Sequence, residues 1–200
     1  MPQIEILNQS LFLLINATPE TSPLAIKLAA FIAQDVMRLL PLWLAALWLW
    51  GRPALRGVIL KSVALTVVAL LGNWLIGLAW PHPRPFAIPL GHAFLQHDAT
   101  PSFPSNHGTI FAMMALCWCF SPARGWGWLL SIAGAAVAWS RVFLGVHFPL
   151  DMLGALLASV FWYAALSPLW SRKGEALTEL LESLYRQLLA KPIAAGLIRR

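Results

Sequence analysis

The chain has 200 residues, 59% of them hydrophobic and only 11% charged, which is too apolar for a soluble domain of this length and marks an integral membrane protein. Its formal net charge of +6 comes from bases scattered along the chain rather than gathered into one patch, which argues against a nucleic-acid partner. Cys117 and Cys119 lie together in an apolar run with no further cysteine to complete a zinc set, so they read as small buried residues.

Residues 1–23 carry Glu5 and Glu20 and have no basic region ahead of their apolar part, so they do not read as a cleaved signal peptide. Ile4, Leu7, Leu11 and Leu14 recur at helical spacing with Asn8, Gln9 and Ser10 between them, which predicts a short helix lying in the membrane interface. A helix from about residue 24 to Trp50 comes next, and Lys27, Asp35 and Arg38 share one face of its first half with Phe31. That face is either a wet helix end with a local Asp35–Arg38 pair or the lining of a polar site, since ionisable groups at membrane depth usually face a cavity or a partner.

Charge-free apolar runs at 39–51, 62–80, 103–123, 125–139 and 152–171 predict an all-α fold, a polytopic membrane bundle of about five to six spanning helices with interfacial terminal helices. One domain over 1–200 is expected. Trp residues at the run ends read as interfacial belts, with Trp74 and Trp162 packed inside the bundle. Arg52, Arg56 and Lys61 make one connection strongly basic, whereas the Pro-rich connection 81–106 has Arg84 as its only fixed positive charge. This bias predicts an outside N-terminus and an inside C-terminus. Over 172–200, Leu177, Leu180, Leu181, Leu184 and Leu188 form one face of a cytoplasmic amphipathic tail.

This topology brings three polar stretches to the outer side: His82 to Pro85, Pro104 to His107, and Ser140 to Asp151. In the last of these Pro149 suits the first turn of a helix, because its missing N–H is one of the donors unpaired there anyway. His147 then precedes the helix and Asp151 falls in its first turn. An Asp beside a His can fix the ring tautomer and stabilise the imidazolium, leaving the other nitrogen to attack or to move a proton. Arg141 adds a planar fork of donors suited to phosphate oxygens. A single His–Arg pair near a membrane usually anchors to headgroups, but packing does not account for three such stretches converging.

On these residues the chain resembles the type 2 phosphatidic acid phosphatase superfamily, whose motifs are Lys-x6-Arg-Pro, Pro-Ser-Gly-His and Ser-Arg-x5-His-x3-Asp. Ser140, Arg141, His147 and Asp151 match the third in full. Pro104, Ser105 and His107 match the second, with Asn106 in place of Gly, and Arg84-Pro85 match the first, with Gly77 where Lys is usual. The His-Pro-Arg-Pro-Phe and Ser-Phe-Pro-Ser-Asn-His-Gly-Thr strings are most similar to the bacterial undecaprenyl-diphosphate phosphatase branch.

The resemblance implies a multi-pass enzyme of the bacterial inner membrane, its site facing the periplasm or cell exterior, that hydrolyses a polyprenyl diphosphate lipid through a phosphohistidine. His147 would be the nucleophile, Asp151 its support, and His107 the acid and then the base. Arg84, Ser105, Asn106 and Arg141 would bind phosphate, with no metal and no cofactor. Lys27, Arg38 and His82 are candidate accessory residues, Lys27 or Arg38 supplying the charge that Gly77 does not. His82, His92 and His97 otherwise read as solvent-exposed loop polarity. Phosphoryl transfer to lipid A and hydrolysis of phosphatidylglycerophosphate are the enzymatic alternatives. A transporter would more naturally show repeated halves or broken helices, and the sequence has neither feature.

Overall fold

Residues 3–200 are described by a computed structural model, and among them every regular element is helical. The helices are α1 (Gln3–Ile15), α2 (Pro23–Trp50), α3 (Arg56–Ala79), α4 (Asn106–Cys119), α5 (Arg124–Phe143), α6 (Pro149–Leu188) and α7 (Ala190–Ala194), with 3₁₀ turns at Pro53–Leu55 and Pro85–Ala87. Local chemistry sets several starts. Ser22 accepts a hydrogen bond from the Ala25 N–H as Pro23 opens α2, and Ser105 accepts from the Gly108 N–H to open α4. Pro149 opens α6, where Asp151 accepts from the Phe148 N–H at 2.8 Å.

The core is built around α4. Phe111, Met113, Met114, Cys117 and Trp118 pack with Leu40 and Leu44 of α2, Leu65 and Ala69 of α3, and Leu130 and Val137 of α5. Lipid tails are as apolar as these side chains, so close packing rather than escape from water holds such a bundle together. Three helical stretches are long and apolar enough to cross a membrane: α2, α3 with its preceding turn, and α6. Their outward faces are exposed leucine, valine and tryptophan, and the chain is a membrane protein. By contrast α4 has 14 residues, about 21 Å of helix against a hydrocarbon core of about 30 Å.

Three expectations change. Trp74 is 62% exposed rather than packed inside, because α3 turns its small and polar residues Ala69, Gly72, Asn73 and Gly77 inward and Trp74 lies a further 100° or so around the helix. The amphipathic tail expected from residue 172 is the far half of α6, which runs unbroken through Pro168 to Leu188. Nor does α1 simply lie on the surface. Ile4, Leu7 and Leu14 are exposed, but its opposite face buries Asn8 and Phe12, and Phe12 packs edge-on against Phe148.

These contacts position the outer loops. Asn8 Oδ1 accepts from the Leu150 N–H at 3.1 Å, at the start of α6. Just beyond α1, Asn16 donates through Nδ2 to the carbonyls of His92 and Phe143 and accepts from the His92 N–H at 2.7 Å. The long α3–α4 connection is thereby tied to the end of α5. Gly145 makes the approach sterically feasible, since its φ is +80° and a Cβ there would lie 2.2 Å from the His92 carbonyl oxygen.

Candidate active site

The last turn of α5 carries Arg141, the first turn of α6 carries Asp151, and the short link between them presents His147. Arg84, Ser102, Ser105, Arg141, His147 and Asp151 are each no more than 5% exposed. Polar groups buried this deeply need partners, and most of these have them.

His147 Nδ1 lies 3.1 Å from Asp151 Oδ2, while Arg84 Nη1 donates to His147 Nε2 at 3.0 Å. The carboxylate can only accept and the guanidinium can only donate, so the ring carries its proton on Nδ1 and its lone pair on Nε2. Ser102 Oγ donates to the same Asp151 oxygen and lies 3.3 Å from Nδ1. Burial pushes the His147 pKa down to about 4, against the hydrogen bond and charge of Asp151, which raise it; Arg84 and Arg141 reinforce the fall. The ring is therefore neutral at pH 7, with a nucleophilic nitrogen.

Arg84 is clamped by the loop ahead of α4. Its Nε donates to the Thr100 carbonyl at 2.9 Å, Nη2 to Thr100 Oγ1 at 3.2 Å, and Nη1 also to the Val146 carbonyl at 2.9 Å. Burial lowers its pKa while Asp151 and Asp98 oppose the fall, and a guanidinium stays charged at neutral pH. Arg141 differs, because its Nε and Nη2 are buried with no hydrogen-bond partner among the described residues. Buried donors of that kind are costly unless an anion takes them up.

His107 is the second residue of α4 and is half-buried. Ser105 caps the helix, whose free N–H groups favour an anion. Asn106 is exposed, and its Oδ1 accepts from Asn73 Nδ2 of α3 at 3.1 Å. Asn73 also donates to Thr109 Oγ1 at 2.8 Å, so this departure from the family motif links two helices.

Among the described residues, the accessory candidates make no side-chain hydrogen bond to this cluster. Lys27 is exposed, and Arg38 is 69% exposed and paired with Asp35 at 2.8 Å. Ala29, Ala33, Leu40 and Leu44 form the buried face of α2, which turns the charged face outward. His82 pairs through Nε2 with Glu5 of α1 at 3.3 Å, against the edge of Phe148. Sequence reasoning missed Ser102, Thr100 and Asn73, and it took His97 for loop polarity although its ring centroid lies 6.3 Å from that of His147. The only hint was their place beside the motifs: Thr100 and Ser102 immediately precede the second, and Asn73 lies one helical turn before Gly77.

Next to this cluster, α4, α5 and α6 enclose a cavity of about 480 Å³ lined by Gly108, Phe111, Ala115, Gly134, Met152 and Leu156 among others. It begins one residue from His107 and one from Asp151, and its walls are apolar.

A helical membrane bundle with a buried His–Asp pair between two arginines, opening beside an apolar cavity, has the architecture of an integral-membrane phosphatase of the phosphohistidine kind. The chain belongs to the PAP2 superfamily, whose family model matches residues 57–175. It is 46% identical over 200 residues to YbjG of Escherichia coli (strain K12), provisionally named an undecaprenyl-diphosphatase, covering 98% of this chain and 99% of that one. It is 29% identical over 189 residues to the undecaprenyl-diphosphatase BcrC of Bacillus subtilis (strain 168), covering 93% and 97%. The fold is shared with a PAP2-type phosphatidylglycerolphosphate phosphatase from Bacillus subtilis, at TM-score 0.62 and 19% identity over 86% of this chain and 88% of that one. Aquifex aeolicus LpxE also shares it, at TM-score 0.54 and 23% identity over 78% and 92%.

Proposed function

We propose that this protein is a lipid-diphosphate phosphatase that hydrolyses undecaprenyl diphosphate to undecaprenyl phosphate and inorganic phosphate, recycling the carrier lipid of cell-wall synthesis. The observation that carries the reading is the neutral, buried His147, braced by Asp151 through Nδ1 and turning its Nε2 lone pair toward Arg84. The names of YbjG and BcrC support the choice of substrate, and the apolar cavity beside His107 suits a polyprenyl tail.

In this reading Nε2 attacks the terminal phosphorus in line. A phosphoryl oxygen takes over the Arg84 N–H that Nε2 now accepts, and the unpaired donors of Arg141 take another. The bond from phosphorus to the bridging oxygen breaks, and His107, which takes up a proton from solvent as the diphosphate enters, passes it to that oxygen as it leaves on undecaprenyl phosphate. Asp151 stabilises the positive ring of the phosphohistidine through Nδ1–H. His107 then takes a proton from the water that cleaves the N–P bond, which releases phosphate and restores His147. Ser105, Asn106 and the first N–H groups of α4 complete the phosphate cradle. No step calls for a metal.

The same reading makes the chain one catalytic domain of about five to six spanning helices in the bacterial inner membrane, its site toward the periplasm, as the basic connections on the opposite side support. The test offers the detergent-purified protein undecaprenyl diphosphate, phosphatidylglycerophosphate and phosphatidic acid, with and without lipid A, and follows phosphate release and lipid products. The diphosphate is expected to be hydrolysed fastest, with phosphate released to water. Preference for phosphatidylglycerophosphate, or label arriving on lipid A, would replace this reading.

A further inference from the structure

A phosphoryl group in flight carries charge on three equatorial oxygens, and this chain has Gly77 where the family's first motif places a lysine. The two bases that could have compensated are turned away, Lys27 exposed and Arg38 paired with Asp35. We propose that His97 is a third phosphate-binding residue, which donates from Nε2 to the transferred phosphoryl group and so supplies the charge missing at position 77. The inference rests on the phosphoryl-transfer reading above.

Three observations support it. The ring of His97 stands edge-to-face with that of His147 at a centroid distance of 6.3 Å, near enough for a group bonded to one ring to be hydrogen-bonded by the other. His97 Nδ1 lies 2.9 Å from the Asp98 carbonyl oxygen, an acceptor, so Nδ1 carries a proton and Nε2 is the atom left to meet an oxyanion. The third lies at Gly77 itself, where an added Cβ would lie 3.3 Å from Pro101 Cβ. The loop carrying His97 rests on Gly77, so a side chain there would press on Pro101. Glycine at 77 and histidine at 97 are two parts of one arrangement.

The choice of histidine over a fixed cation follows from its neighbours. Burial lowers the His97 pKa, with Arg84 and Arg141 adding to the fall while Asp98 opposes it. In the free protein the ring is therefore neutral and adds no third charge to two arginines. A phosphoryl dianion entering between them reverses the field and favours protonation, so the additional donor forms only when its acceptor is present.

The experiment compares wild type, H97Q and H97K for kcat/KM on undecaprenyl diphosphate and for inhibition by orthovanadate, whose five-coordinate adduct imitates the transition state whatever the lipid. H97Q is expected to lose about 10- to 100-fold in kcat/KM and to weaken vanadate by a similar factor, the usual worth of one charge-assisted hydrogen bond. H97K, with a permanent cation, is expected to recover to within about threefold of wild type on both readouts. H97Q within about twofold of wild type, or H97K as impaired as H97Q, would overturn the role of His97 while leaving the enzyme reading intact. Wild type inert toward the diphosphate and insensitive to vanadate would bring down both.

Discussion

In the proposed mechanism His147 attacks phosphorus and must be neutral, and burial that pushes its pKa down to about 4 keeps it so. A histidine at the ordinary value of about 6.5 would be half protonated at that pH and inactive below it. Here the protonated fraction stays small until the pH falls far lower. The His147 contribution to the acid limb of kcat/KM is thus expected below pH 5 or so, read from a pH profile of phosphate release; a limb near 6.5 would contradict the structure. Asp151 acts in the opposite sense, since its hydrogen bond and charge raise the His147 pKa. Asp151→Asn should therefore move the limb further down, not up, while cutting kcat by about 10²- to 10⁴-fold through loss of the tautomer and of ring stabilisation. Ser102 touches both partners yet moves no proton in the reaction, so Ser102→Ala should lower kcat by about tenfold with KM little altered. A loss as large as that of His147→Ala would give Ser102 a direct chemical part.

Among the elements, the far end of α6 depends on one buried arginine. Arg56, at the start of α3, is 1% exposed and lies against the rings of Trp48 and Tyr185, 5.4 and 4.5 Å from their centroids. Its Nη2 donates to the Arg199 carbonyl at 3.0 Å, which also accepts from the Tyr185 hydroxyl, and the Arg199 N–H donates to the Leu49 carbonyl at 2.8 Å. The C-terminal segment is thereby latched to the turn between α2 and α3. Arg56→Ala removes a stacked cation together with its hydrogen bonds to the Trp48 and Arg199 carbonyls, and is expected to cost about 2–3 kcal/mol. Thermal unfolding in detergent should show the loss, and limited proteolysis should cut the tail first. Because the latch lies at the opposite end of the bundle from His147, kcat of the folded fraction should hold; a fall in kcat would mean the two ends are coupled.

At the scale of the whole molecule, the proposed orientation puts the α3–α4 loop outside and the α6 extension inside. Gly91 is a poor reporter for the loop, since its φ is +67° and a Cβ would lie 2.3 Å from Asn16 Oδ1. Gln96 is exposed in the same loop and Ser171 is exposed on α6. With Cys117 and Cys119 replaced by alanine, an impermeant maleimide is expected to label Gln96→Cys on intact cells and Ser171→Cys only after permeabilisation. The reverse pattern would place the site on the cytoplasmic side and limit substrate to inner-leaflet lipid.

The sequence by itself determined what depends on near neighbours along the chain. An apolar composition implied a membrane bundle, Pro149 marked a helix start through its missing N–H, and the four-residue spacing of His147 and Asp151 already put base and carboxylate in reach. Only the tertiary structure decided which residues meet across long stretches of chain. Arg84 reaches His147 across 63 residues, and Asn16 reaches the end of α5 across 127. Thr100, Ser102 and His97 sit in a loop, where no periodicity reports which way a side chain points. The charged face of α2 was legible as a face, yet its direction was set by Ala29 and Ala33 packing inward. A hydrophobic pattern records that a surface is buried or exposed, whereas its partner is chosen by the packing of the whole bundle, and that choice put His97 rather than Arg38 beside His147.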